Sequence, residues 1–319
     1  MFLEVLNLFG IKEKLLAITA DNASNNDAMI AALKDHIETF PGKVNRGFCF
    51  VHVLNLCARS TLRPFDVEKG NADAIADEAT KALATLMEGL DVADPAGTEA
   101  DGIIENLDDL DGWVDELAGL SKDGLVNLKK EVLSAKLLLA KLRKLAHTVI
   151  NSTTIYLPNW YMILSDLNLA HKSIPRNVRT RWNSTYWMLV FCLEYCAAID
   201  RMTSAKDLRK FELDELEWEI AEQLKDVLQM SDDFIYYDAT QYFSRQAHPN
   251  LLEVIPAIDK IHDFLSDISI NDFEYQPAIR AAAALGLKTL NRYYDKTDRT
   301  ETYHIAMSKY CLITSSLTM

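Results

Sequence analysis

Residues 15–26 read LLAITADNASNN and residues 46–58 read RGFCFVHVLNLCA, and these two stretches decide the fold class of the amino-terminal part. Leu15 to Thr19 is a brief apolar run bounded by Lys14 and Asp21, which has the length of a short buried strand. Asp21 follows at its carboxyl end. Asn22, Ser24 and Asn25 supply capping side chains, and helical periodicity runs from Ala28 to Phe40 until Pro41-Gly42 stops it. Gly47 to Phe50 reads as a second strand, leading into a helix from His52 to Ser60. Strands near 15–20 and 47–51 alternating with helices at 24–38 and 52–60 follow the grammar of an α/β sheet.

Working outward, Phe2 to Gly10 reads as the end of an amphipathic helix. Between Asp66 and Asp123 the chain carries 17 Asp/Glu against 3 Lys/Arg, is dotted with Gly, and is weakly periodic apart from a short helix at 72–86. That composition predicts a partly disordered, solvated insertion. Leu128 to Ile150 has strong helical periodicity, and further helices are expected at 184–204, 212–238, 250–267 and 276–294. The predicted class is α+β, mostly helical.

The 319 residues are 49% hydrophobic and 25% charged, enough to bury a sizeable core. No apolar run reaches the roughly 18 residues of a membrane span, and residues 1–18 lack the basic and small-residue features of a signal peptide. The expectation is a chain with no membrane partner. Five sparse cysteines without a CxxC pair argue against a disulfide framework. The net charge of −14 argues at first against nucleic acid. The whole excess, however, lies in the acidic segment, and the remainder balances 30 Lys/Arg with 30 Asp/Glu. Charge therefore neither excludes nor demands DNA binding.

Three motifs carry chemistry, and each has a plainer alternative. Asp21, just beyond a strand's carboxyl end, could hold a magnesium or manganese ion, or it is an ordinary helix cap. A single carboxylate makes no two-metal site. Cys49 and His52 form a CxxH pair that could supply two zinc ligands; with no matching second pair, a buried Cys beside a helix-start His reads better. Arg181-Trp182, preceded by Arg176 and Arg179, combines phosphate-binding cations with an indole that can stack on an unpaired base. The alternative is Trp182 as a core anchor with Arg181 neutralising an acid.

In order along the chain, ITADNASNN, RGFCFVHVLNLCA, KLRKLAHTVINST, RTRWNSTYWML and LGLKTLNRYYDKTDRTETYHIAM resemble the middle of hAT-superfamily DNA transposases, over residues 1–307. The resemblance implies a partial RNase H-like domain at 1–65, the acidic insertion at 66–123, a helical continuation at 124–307 and a divergent tail at 308–319. It matches Asp21 to the second carboxylate of the DDE triad, a metal-binding and catalytic position. It matches Cys49 and His52 to a CxxH near the active site, and Arg181 and Trp182 to the RW motif of the helical insertion. Magnesium or manganese, transposon-end DNA and a nuclear location come with the family.

Two of the family's three carboxylates, its BED-type finger and its dimerisation region have no counterpart in this sequence. The expectation is a transposase-derived chain that binds nucleic acid, does not hold its metal productively and is catalytically inactive. The alternative is a co-opted, non-enzymatic interaction or regulatory factor with protein partners.

Overall fold

The computed structural model describes residues 1–66, 86, 112–176, 182–229, 243, 251–297, 300–305, 307 and 308. Its amino-terminal part comprises α1 (Phe2–Leu8), β1 (Ile18–Ala20), α2 (Ser24–His36), β2 (Arg46–Phe48) and α3 (Phe50–Leu62). The helical body follows as α4 (Lys122–Glu131), α5 (Leu133–Asn151), α6 (Tyr156–Asp166), α7 (Trp182–Glu194), α8 (Cys196–Thr203), α9 (Glu215–Gln229), α10 (Leu251–Ile270) and α11 (Pro277–Thr297). No described helix is long and apolar enough to cross a membrane.

β1 and β2 pair in parallel, with Ile18 opposite Arg46, Thr19 opposite Gly47 and Ala20 opposite Phe48. A parallel pair needs a crossover, and α2 supplies it. Gly47 is required where the strands approach, since a Cβ there would lie 2.7 Å from the Thr19 hydroxyl. These two strands are the whole sheet among the described residues, so they establish a βαβ unit within a mostly helical chain.

The strands sit slightly off the expected bounds. Lys12–Lys14 forms a 3-10 turn, so pairing begins at Ile18 instead of Leu15. Phe50 is already the first residue of α3, because Cys49 caps that helix. The helix read as continuous from Leu128 breaks at Val132, and the one read over 184–204 breaks at Tyr195. The expected short helix at 72–86 and residues 230–238 of the expected helix at 212–238 lie outside the described residues, Leu86 excepted.

Two apolar cores form. The smaller gathers Leu6, Ile30, Leu33, Ile37 and Phe40 on one side of the sheet. The larger runs from Phe50 and Leu54 of α3 through α5–α11. In it α3 packs along α11, α10 along α11, and α7 against α9, so the last long helix and the first third of the chain share one interior. Trp160 of α6 is fully buried beside Phe191 and Tyr195, and its indole N–H donates to the Lys172 carbonyl at 2.9 Å.

Candidate functional site

At the carboxyl edge of the sheet, β1 runs into Asp21 and β2 into Cys49, and the Cys49 N–H donates to the Ala20 carbonyl at 2.9 Å. Such edges are where open α/β sheets place ligands. The Asp21 carboxylate is already engaged: its Oδ1 accepts the Ala23 N–H at 3.1 Å and a hydrogen bond from the Asn26 amide. This is an Asx turn that starts α2. Arg46, 8% exposed, reaches the same loop from β2. Its guanidinium donates to the Asp21 carbonyl at 2.6 Å and pairs with the Asp27 carboxylate, while lying 4.8 Å from the Phe48 ring centre.

A fixed cation therefore stands where a divalent ion would need further oxygen ligands. Among the described residues no group of three His, Cys, Asp or Glu could hold a metal. The donor set at Asp21 does not suit magnesium or manganese, which take several oxygens around one ion. Cys49 is half-buried at the start of α3, and His52 is buried in the first turn of that helix. They are neighbours across one strand-to-helix junction and belong to no described metal cluster.

A strap that the sequence reading had placed inside the solvated insertion holds this edge to the helical body. Gly112, at φ +81°, packs against the Asn22 side chain, where a Cβ would clash at 2.6 Å. Asn22 donates to the Tyr293 hydroxyl at 2.8 Å, and that hydroxyl donates to the Gly112 carbonyl at 3.1 Å. Burial raises the Tyr293 pKa, and the Asn22 hydrogen bond and the Arg292 charge oppose the rise.

Further along, the Trp113 indole donates to Ser60 at 3.2 Å and stacks under the Arg59 guanidinium. Asp115 accepts from Arg63 at 2.9 Å, and Glu116 pairs with Arg292 of α11. Acidic composition predicted solvation here; these carboxylates instead neutralise Arg63, the residue after α3, and Arg292 of α11. The rest of the insertion, apart from Leu86 and residues 112–123, lies outside the described residues.

The second candidate site precedes α7. Arg176 is exposed and donates to Asn151 at the end of α5 at 3.5 Å. Arg179 and Arg181 lie outside the described residues, and Trp182 is the first residue of α7. The inner face of α7, including Tyr186, Met188, Leu189 and Cys192, is buried in the main core. One aromatic on that helix was not singled out from sequence: Trp187 is 46% exposed. The spacing gave no signal of this, because Tyr186 to Leu193 is an unbroken apolar run.

Residues 120–227 match the family model described as the ZBED1 RNase-like helical domain. The matched stretch covers α4 to α9 and contains the Arg176–Trp182 segment. Comparison with curated proteins and with solved structures gives no match. The match suggests a protein related to hAT and ZBED transposase-derived chains, on the strength of its helical region.

Proposed function

We propose that this chain is a transposase-derived nucleic-acid-binding protein of the hAT/ZBED kind, acting in the nucleus on DNA ends without cutting them. The observation that carries the reading is the helical-domain match over residues 120–227, a range that contains the RTRWNSTYWML motif at 179–189. Cations ahead of a helix and an indole at its first residue suit a strand with unpaired bases. The chemistry at Asp21 supports the non-cutting half of the proposal. Its carboxylate caps α2 and an arginine occupies the neighbouring space, so this residue lacks the partners to place two cations on a phosphodiester.

The test is a fluorescence-anisotropy titration of hairpin, single-stranded and duplex DNA, with a parallel nicking assay in magnesium or manganese. Binding is expected to fall steeply with salt, as counterion release requires, and to weaken when Arg176, Arg179 and Arg181 are changed to Ala. Trp182→Ala is expected to cost more on hairpin and single-stranded DNA than on duplex. No nicking is expected. Absence of binding to any of the three DNAs, or nicking lost in Asp21→Ala, overturns the proposal.

A further inference from the structure

The first helix has two apolar faces. Leu3 and Leu6 of α1 belong to the small core, with Leu15, Ile18 and Ile30. Phe2, Val5 and Phe9, spaced by three and four residues, line the other side of the helix with Leu8 next to them. Leu8 is 82% exposed and Phe9 67%, while Phe2, Val5 and Ile11 lie between 40% and 43%. Residues 1–11 contain a single charged side chain, Glu4, and no Lys or Arg.

This face is held in a fixed geometry. Gly10, at φ +63°, stops the helix: its N–H donates to the Asn7 carbonyl at 3.1 Å, and the Ile11 N–H reaches back to the Leu6 carbonyl at 3.0 Å. Those two bonds make a Schellman ending, which glycine favours because it takes the left-handed conformation without strain. The inward leucines anchor α1, so the outer row is left for something else.

Area and charge together say what covers that row. At roughly 150–250 Å² for an aromatic ring and somewhat less for an aliphatic side chain, the exposed fractions leave on the order of 500 Å² of apolar surface open. Patches of that size mark interaction sites. A standard interface of about 800 Å² per partner, somewhat over half of it apolar, needs about this amount from each side. Nucleic acid would find no cation in residues 1–11, and a basic or acidic protein would find almost nothing to pair with. A second copy of the same face fits, because a two-fold axis sets apolar against apolar. Residues 1–50 balance five Lys/Arg against six Asp/Glu in a chain of net charge −14, so two copies meet here with little repulsion.

We propose that α1 is a self-association surface: two copies of the chain pack their outer rows against one another in a closed two-fold dimer centred near Val5, the middle of the row. The inference does not depend on nucleic-acid binding.

The experiment is sedimentation velocity of the full chain from about 1 to about 100 µM. The parent is expected to pass from monomer to dimer over this range. Val5→Lys and Val5→Glu, each alone, set like charges face to face across the axis and are expected to weaken association about tenfold or more. Their equimolar mixture is expected to recover the dimer, because opposite charges then meet. Val126→Lys, at an exposed apolar side chain of α4, is expected to associate as the parent does. Urea midpoints of all three variants should stay near the parent's, since the changed side chains lie on the surface.

A parent that stays monomeric throughout overturns the inference and leaves the face to a different protein. Dimers that persist in both Val5 variants, a mixture that stays monomeric, or equal weakening by Val126→Lys overturn it too. Open-ended growth beyond the dimer also overturns it, because a closed two-fold contact stops at two copies.

Discussion

Because the Arg46 guanidinium serves the Asp27 carboxylate and the Asp21 carbonyl together, removing it strips two acceptors in one step, whereas removing the Asp21 carboxylate frees only a turn. Asp27 is 47% exposed and can rehydrate, which limits the loss. Arg46→Ala is expected to cost about 2–3 kcal/mol, and Asp21→Ala about 0.5–2 kcal/mol, both read from urea midpoints. The reverse order would mean that Asp21 holds the loop and Arg46 is incidental.

The thiols divide as clearly. Burial pushes Cys57 far above the ordinary thiol range and Cys192 up to about 12, so neither presents thiolate near neutrality. Cys49 and Cys196 are partly exposed. In native protein at pH 8 a thiol reagent is expected to label Cys49 and Cys196, and to reach Cys57 and Cys192 only after denaturant; rapid native labelling of Cys192 would place it outside the core. At this scale the Asp21 turn was readable, since Asp-Asn-x-Ser is a local capping pattern. Its arginine was not, because Arg46 lies 25 residues away and nothing local couples them.

At the level of elements, the start of α9 shows what a local motif gains from a distant one. Asp214 accepts the Glu217 N–H at 2.8 Å and Glu217 accepts the Asp214 N–H at 3.0 Å, a reciprocal capping box. Glu217 is 5% exposed and also takes the Lys141 ammonium of α5 at 2.6 Å, while that ammonium donates to the Glu212 carbonyl at 2.9 Å. Asp214→Ala loses a cap and is expected to cost about 1 kcal/mol. Glu217→Ala also leaves a mostly buried ammonium without its carboxylate and is expected to cost about 2–3 kcal/mol. Thermal unfolding of the two variants checks the difference, and equal costs would mean that the Lys141 pair contributes nothing.

The long amphipathic helices were legible because their buried positions recur with helical period. α6 was not among the expected helices. Pro158 reads as a breaker, yet it is the third residue of α6, where its missing N–H has no intrahelical partner to lose. Conversely, the breaks at Val132 and Tyr195 carry no proline or glycine and interrupt apolar patterns that continue on both sides.

On the scale of the whole molecule, the chain is stitched between its ends: α3 lies against α11, the Gly112–Glu116 strap crosses both, and the sheet straddles two cores of unequal size. Ile18 packs with the small core, whereas Phe48 packs with the large one and meets Tyr293 edge-on at 5.6 Å. None of this long-range stitching could be read from periodicity, which reports a face but not its partner.

The small core has five buried side chains to order α1, α2 and β1, while the large one draws on α3 and α5–α11. Its region should therefore open first, as a unit below the global unfolding energy. Ile37 is fully buried in it, and Ile37→Ala is expected to remove about 2–5 kcal/mol locally. Amide hydrogen exchange checks this. Protection should collapse across 15–40 in the variant while α5, α7, α9 and α11 keep parent-like rates, because β2 remains fastened by the Thr300 hydroxyl to the Arg46 carbonyl and by the covalent run into α3. A uniform fall in protection over every helix would mean instead that the two cores unfold as one, and that Asn22–Tyr293 and the strap transmit the full stability of the helical body to the sheet.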